Sequence, residues 1–176
     1  MKALIFLADG FEEVEALTPW DILKRAGCDV KLVSVSGNDC VKGSHGLEVK
    51  TDTDKITDAD LYVLPGGMPG TLGLAASKKV TDAIKKAFSE NKLIGAICAA
   101  PSVLGSLGIL EGKKAVCFPG FEDKLTGYVK IDKKVVRDGN VITAKGMGVA
   151  LEFALALTEA LFGAEKADSI KASIQA

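Results

Sequence analysis

The chain has 176 residues, with 22 lysines and arginines against 23 aspartates and glutamates, for a formal net charge of −1. That length suits one domain able to bury a core without disulfides or metals, and the charge balance gives no pull toward nucleic acid or an anionic membrane. Small molecules or proteins are the expected partners.

A strand at 3–8 opens the chain, followed by a helix to about residue 26, after which Gly27 takes the place of a left-handed cap. A second strand is expected at 30–35, and residues 40–51, with Gly43, Ser44 and Gly46 at their middle, read as a hairpin. A strand at 61–64, a helix near 80–89, a strand at 93–97 and a helix from about Ala99 follow. "VVRDGNVIT" is a second hairpin turned at Asp138-Gly139. A helix from near Gly148 to Phe162, closed by Gly163, and an amphipathic helix at 164–174 end the chain. Strands and helices alternate, and the strand runs are almost wholly apolar, as both-sided burial requires. The predicted fold is α/β over 1–176: three layers, doubly wound, a mostly parallel sheet with helices on both faces, and two small hairpins.

The apolar runs at 3–8 and 149–161 are too short or too interrupted to span a bilayer, and Met1-Lys2 leads into a strand with no signal-peptide layout, so a cytoplasmic protein is expected. Cys28, Cys40, Cys98 and Cys117 form no C-x-x-C pair, which suits a reducing compartment, and with His45 the one histidine no metal site is expected.

In open parallel sheets ligands collect beyond the carboxyl ends of the strands. Three loops belong to that edge: "DGFEEVE" after the first strand, "PGGMPG" after Leu64, and the turn at Cys98 in "LIGAICAAP". Cys98 sits at a strand-to-helix turn, where the helix N-terminus would lower its pKa. The amide of Ala99 and that of Gly66 or Gly67 would supply an oxyanion hole, the layout of a nucleophile elbow. A free cysteine is also a small hydrophobe that fills core space. "PGGMPGTLG" matches no phosphate loop and reads as a tight strand-end turn. Glu12, Glu13 and Glu15 open a helix, where the dipole favours acids. Pro19, unable to donate to the carbonyl of Glu15, predicts a distortion there.

"ADGFEEVEALTPWDILKRAG", "LPGGMPG", "IGAICAAP", "FPGFED" and "VVRDGNVITAKGMGVALEFALALTEAL" together resemble the ThiJ/PfpI superfamily, in the branch that contains the parkinsonism-associated protein deglycase. The resemblance covers nearly the whole chain and implies a flavodoxin-like, class I glutamine amidotransferase-like fold. By resemblance Cys98 is the reactive, oxidation-prone cysteine, Glu15 donates a hydrogen bond to it, and Gly67 and Ala99 give the oxyanion amides. Protease-like relatives carry a histidine directly after the nucleophile; Ala99 stands there, which argues against a peptidase. The deglycase's third polar residue is a histidine whose place falls on Gly127 across a small gap. His45 and Arg25 match positions that approach the neighbouring subunit's site in family dimers, although a histidine in "KGSHGLE" also suits a surface turn.

The resemblance thus implies a cofactor-free, homodimeric enzyme of glyoxalase III or deglycase type, acting on methylglyoxal or glycated protein through the Cys98 thiolate and releasing lactate. The alternative is a redox sensor or redox-regulated chaperone in which Cys98 is oxidised to a sulfinate without turnover.

Overall fold

The computed structural model describes residues 1–176. In chain order the elements are β1 (Lys2–Leu7), α1 (Glu13–Arg25), β2 (Asp29–Ser34), β3 (Cys40–Lys42), β4 (Glu48–Lys50), β5 (Leu61–Leu64), α2 (Gly70–Ala76), α3 (Lys78–Ser89), β6 (Leu93–Ile97) and α4 (Pro101–Ser106). They continue with β7 (Lys114–Ala115), β8 (Val129–Lys130), β9 (Val135–Asp138), β10 (Val141–Ala144), α5 (Ala150–Phe162) and α6 (Ala164–Ser173).

The main sheet has six strands in the order β2-β1-β5-β6-β10-β9. Its first five are parallel, and β9 is antiparallel to β10 at the edge. The parallel part doubles back at β1, the doubly wound arrangement whose ligand crevice lies beside that reversal. Alternation along β1 shows how the three layers are made. Ala3, Ile5 and Leu7 pack with Ala16 and Leu23 of α1 and Phe153 and Leu157 of α5, whereas Leu4 and Phe6 pack with Leu74, Ile84 and Leu104 of α2, α3 and α4. A strand with both sets apolar has no face it could leave in water, so helices must cover both sides.

The structure departs from the predicted elements where a run was short or glycine-rich. Both expected hairpins form, 40–51 as β3–β4 and "VVRDGNVIT" as β9–β10, but the second is not apart from the main sheet: the fully buried β10 joins it beside β6 and brings β9 with it. Gly70–Ala76, expected as turn, is helical with Thr71 and Leu74 buried. The two-residue strands β7 and β8 pair in parallel and are too short to show a period. The helix after Cys98 begins at Pro101, a residue suited to a first helical turn, two positions later than expected. α1 runs unbroken through Pro19, so the expected distortion does not interrupt it.

Gly95 fixes how closely α5 lies on the sheet. A Cβ there would come within 2.8 Å of Leu157 Cδ2 and 3.0 Å of Phe153 Cζ. Replacing glycine by alanine in a strand ordinarily stabilises by about 0.5–1 kcal/mol, but overpacking a filled core costs about 1–3 kcal/mol, and both obstructing side chains are buried. Gly95→Ala is therefore expected to destabilise, read as a lower denaturation midpoint with unchanged slope; an unchanged or higher midpoint would mean that α5 can shift away from β6.

Candidate active site

Three parallel strands deliver three loops to one edge, as predicted: β1 leads to the start of α1, β5 to Gly66 and Gly67, and β6 to Cys98. The acids at the start of α1 divide by direction. Glu12 caps the helix, its Oε2 accepting the Glu15 N–H at 2.7 Å. Glu13 turns toward the β3–β4 hairpin, where it accepts the His45 N–H at 2.6 Å, faces His45 Nδ1 at 2.7 Å and accepts the Ser44 hydroxyl at 3.0 Å. Glu15 turns inward, 1% exposed, and its Oε2 accepts the Gly66 N–H at 2.9 Å.

Cys98 is half-buried at the end of β6, with φ 65. That left-handed conformation costs a non-glycine residue of order 1–3 kcal/mol and is held from both sides, the Cys98 N–H donating to Ala144 O at 2.9 Å and its carbonyl accepting from the Phe118 N–H at 2.8 Å. The thiol lies beside the Glu15 carboxyl, and the Ala99 and Gly67 amides act on the sulfur. The four residues named from the sequence for this centre, Cys98, Glu15, Gly67 and Ala99, are thus brought together. Neither Gly66 nor Gly67 could carry a side chain. A Cβ on Gly66 would meet Glu15 Oε2 at 2.5 Å and Cys98 Cβ at 2.6 Å, and one on Gly67, whose φ is 92, would run into the Glu12 N–H and the Gly10 carbonyl.

Burial pushes the Glu15 carboxyl up to about 7, and the charge of Glu12 pushes the same way; the hydrogen bonds from Cys98 and Gly66 pull it down. The Met147 amide also lowers it, yet Oε1 is left buried without a hydrogen-bond partner. For Cys98 the sequence predicts a lowered pKa. Burial and the Glu15 carboxylate instead push the thiol up to about 12 against the pull of the Ala99 and Gly67 amides, and α4, six residues long and starting at Pro101, adds little dipole. Acidity here belongs to the pair: two adjacent buried charges are disfavoured, so ionisation of Glu15 and ionisation of Cys98 oppose each other.

The structure also places the residues that lie away from the thiol. Arg25 is exposed at the far end of α1, paired with Asp21 at 2.7 Å and ten residues, about 15 Å, along the helix from Glu15. His45 is 77% exposed and held to Glu13. Burial would raise Glu13, but the side-chain and backbone hydrogen bonds of His45 outweigh it and hold the carboxyl down to about 2, while His45 is raised by the same bond and charge. Ligand atoms of Glu12, Glu13 and His45 lie within 4.8 Å of one another, a grouping not foreseen from the sequence. Gly127 is corrected: it lies against Glu111 and its carbonyl accepts the Gly112 N–H, whereas the segment that reaches Cys98 does so at Phe118. Phe118, Gly146 and Met147 were missed as site residues because they follow no strand or helix pattern; "FPGFED" and "AKGMG" held the signal. No helix is long and apolar enough to cross a membrane.

A buried carboxyl pushed up to about 7 from the ordinary glutamate value of 4.5 binds its proton more tightly folded than unfolded. Its stabilising contribution is full below about pH 4.5 and is lost as pH rises through about 7, a swing of about 3 kcal/mol. Glu15→Gln removes the titration, so the stability of the variant relative to the parent should rise across that window in denaturant titrations at fixed pH. A pH-independent difference would show that Glu15 is not the group that titrates.

The DJ-1/PfpI family model matches residues 1–160. Drosophila melanogaster protein dj-1beta is 40% identical, with 96% of this chain and 94% of that protein covered, and the Caenorhabditis elegans protein named glutathione-independent glyoxalase DJR-1.2 is 38% identical, with 96% and 93% covered. Two Arabidopsis thaliana relatives, DJ-1 homologs A and B, are 42% and 41% identical, and the chain spans only 44% and 39% of their length. The structure of oxidized Toxoplasma gondii DJ-1 superposes with a TM-score of 0.95 at 36% identity, over 99% of this chain and 97% of that one. With one family model covering most of the chain and relatives matched almost end to end, the chain belongs to the DJ-1/PfpI family.

Proposed function

We propose that the chain is a cofactor-free enzyme that converts reactive 2-oxoaldehydes, free methylglyoxal or its adducts on protein, to hydroxyacids, as a glyoxalase III or deglycase. The observation that carries this reading is the contact of Cys98 with a buried carboxyl titrating at about 7, since a general base works best with its pKa near the operating pH. The similarity to a protein named as a glyoxalase adds support.

In the proposed reaction the Cys98 sulfur attacks the aldehyde carbon of methylglyoxal. The S–C bond forms, the carbonyl π pair moves to oxygen beside the Gly67 and Ala99 amides, and the thiol proton passes to Glu15, which returns it to the oxygen. The resulting hemithioacetal loses its C–H proton to Glu15. The enediol regains a proton on the neighbouring carbon, leaving a lactoyl thioester. Water then adds to the thioester carbon, the C–S bond breaks, and the thiol is restored; one water is consumed and lactate leaves.

The expected result with purified protein is lactate from methylglyoxal, abolished in Cys98→Ser and reduced by about 10²- to 10⁴-fold in Glu15→Gln, the range for one positioned acid or base. No lactate, or lactate formed equally by Cys98→Ser, would overturn the reading.

We further propose a cytoplasmic homodimer. An open apolar groove along α1, lined by Val14, Leu17, Ile22, Leu151 and Ile174 with Arg25 at its rim, supports an interface there, and all four cysteines are free. Because His45 is already committed to Glu13, Glu15 performs the proton transfers alone, and His45→Ala should keep activity within about tenfold, the loss of a supporting rather than a transferring group. A larger loss, restored only in mixed dimers of Cys98→Ser with His45→Ala subunits, would show a site shared between subunits.

A second reading has one finding behind it, the similarity to an oxidized DJ-1 structure. As a redox sensor or redox-regulated chaperone, the Cys98 thiolate would react with two molecules of hydrogen peroxide to give a sulfinate and two waters, the product held by the same amides and by protonated Glu15. Cys28 and Cys117 are buried, with thiols pushed up to about 11 by that burial, and Cys40 is exposed. Limited peroxide followed by peptide mapping should find two oxygens on Cys98 first; first modification at Cys40 would remove this reading.

A further inference from the structure

We propose that Phe118 sets the substrate class of the Cys98 site, its ring forming a wall for an aryl or similarly apolar side group on the 2-oxoaldehyde, so that phenylglyoxal is taken in preference to methylglyoxal. This rests on the reading of Cys98 and Glu15 as the reacting pair.

Phe118 is 47% exposed, a large apolar surface left in water, and it is fixed at the nucleophile, its N–H donating to the Cys98 carbonyl at 2.8 Å. Its ring edge lies against Gly146. A methyl group at Gly146 would meet Phe118 Cδ2 at 3.1 Å and lie 3.9 Å from Glu15 Oε1, so ring and carboxyl face one small space that only a missing side chain leaves open. Glu15 Oε1 is buried without a partner, and such atoms in a native structure await a ligand or water. Two further segments beside the pair also carry exposed apolar side chains: Met68, 47% exposed, follows Gly67, and Met147, 53% exposed, has its amide acting on Glu15.

Charge narrows the class further. The charged groups acting most strongly on Glu15 and Cys98 are acids, Glu12 and the pair itself. Lys145, the cation next to Gly146, is bonded to Asp132 at 3.0 Å. A carbonyl compound bearing a carboxylate or phosphate would bring a second anion beside these acids, with Lys145 already paired to Asp132, while an apolar group would shed water against the ring. Phenylglyoxal would follow the route already written, consuming one water to give mandelate.

The test has two arms. In the first, kcat and KM are measured for phenylglyoxal and methylglyoxal with the parent, Phe118→Leu and Phe118→Ala. The parent should favour phenylglyoxal in kcat/KM by about fivefold or more, the worth of an aromatic contact. Phe118→Ala should lose that preference through a raised KM for phenylglyoxal, and Phe118→Leu should keep part of it. In the second arm, alkylation of Cys98 by iodoacetamide and by its N-benzyl derivative is compared in the same proteins, which needs no turnover. A parent preferring the benzyl reagent, with the preference lost in Phe118→Ala, supports the wall even if neither oxoaldehyde is consumed, in which case only the enzymatic reading fails. Ratios unchanged between parent and Phe118→Ala in the alkylation arm overturn the proposal.

Discussion

A carboxyl and a thiol arriving on different loops can become neighbours only if nothing stands between them, and at this site the space between them is the side chain that Gly66 lacks. Its missing Cβ lies 2.5 Å from Glu15 Oε2 and 2.6 Å from Cys98 Cβ, and its N–H holds that same carboxylate oxygen. One residue thus supplies both the gap and the tether. The rest of the architecture serves this meeting. Parallel strands carry β1, β5 and β6 to a common edge, and burial of the carboxyl among apolar layers moves its titration to neutrality.

Much of the fold was legible because both-sided burial writes itself as continuous apolar strands, and "ALIFLA" and "LIGAI" admit few other readings. The turn at Asp138-Gly139 was legible too, yet not the destination of its strands, because the pairing of β10 with β6 depends on a partner far away in sequence. α2 was hidden by its glycines, which lower helix propensity and are outweighed here by burial of Thr71 and Leu74.

At the site, Cys98, Glu15, Gly67 and Ala99 were readable because each stands next to a strand end in a distinctive stretch. The proton balance between Glu15 and Cys98 was not, since it depends on how deeply both groups are buried and on the Glu12 charge, none of which is a property of spacing. Phe118 could not be placed because a helix, a two-residue strand and irregular chain separate it from Cys98, and only the fold shows which carbonyl its N–H reaches.

Glu13 has neighbours on two sides. It receives the Ser44 hydroxyl, the His45 N–H and the His45 ring, and it fills the place that a side chain on Gly43 would need. Positions 13, 43 and 45 therefore make a single unit of heritable change. A larger residue at 43 requires a shorter one at 13, and a shorter one at 13 strands the histidine. Since position 13 lies one residue from the helix cap and two from Glu15, a change at the tip of the exposed hairpin is felt at the start of α1, and the surface loop and the buried carboxyl share one set of steric limits.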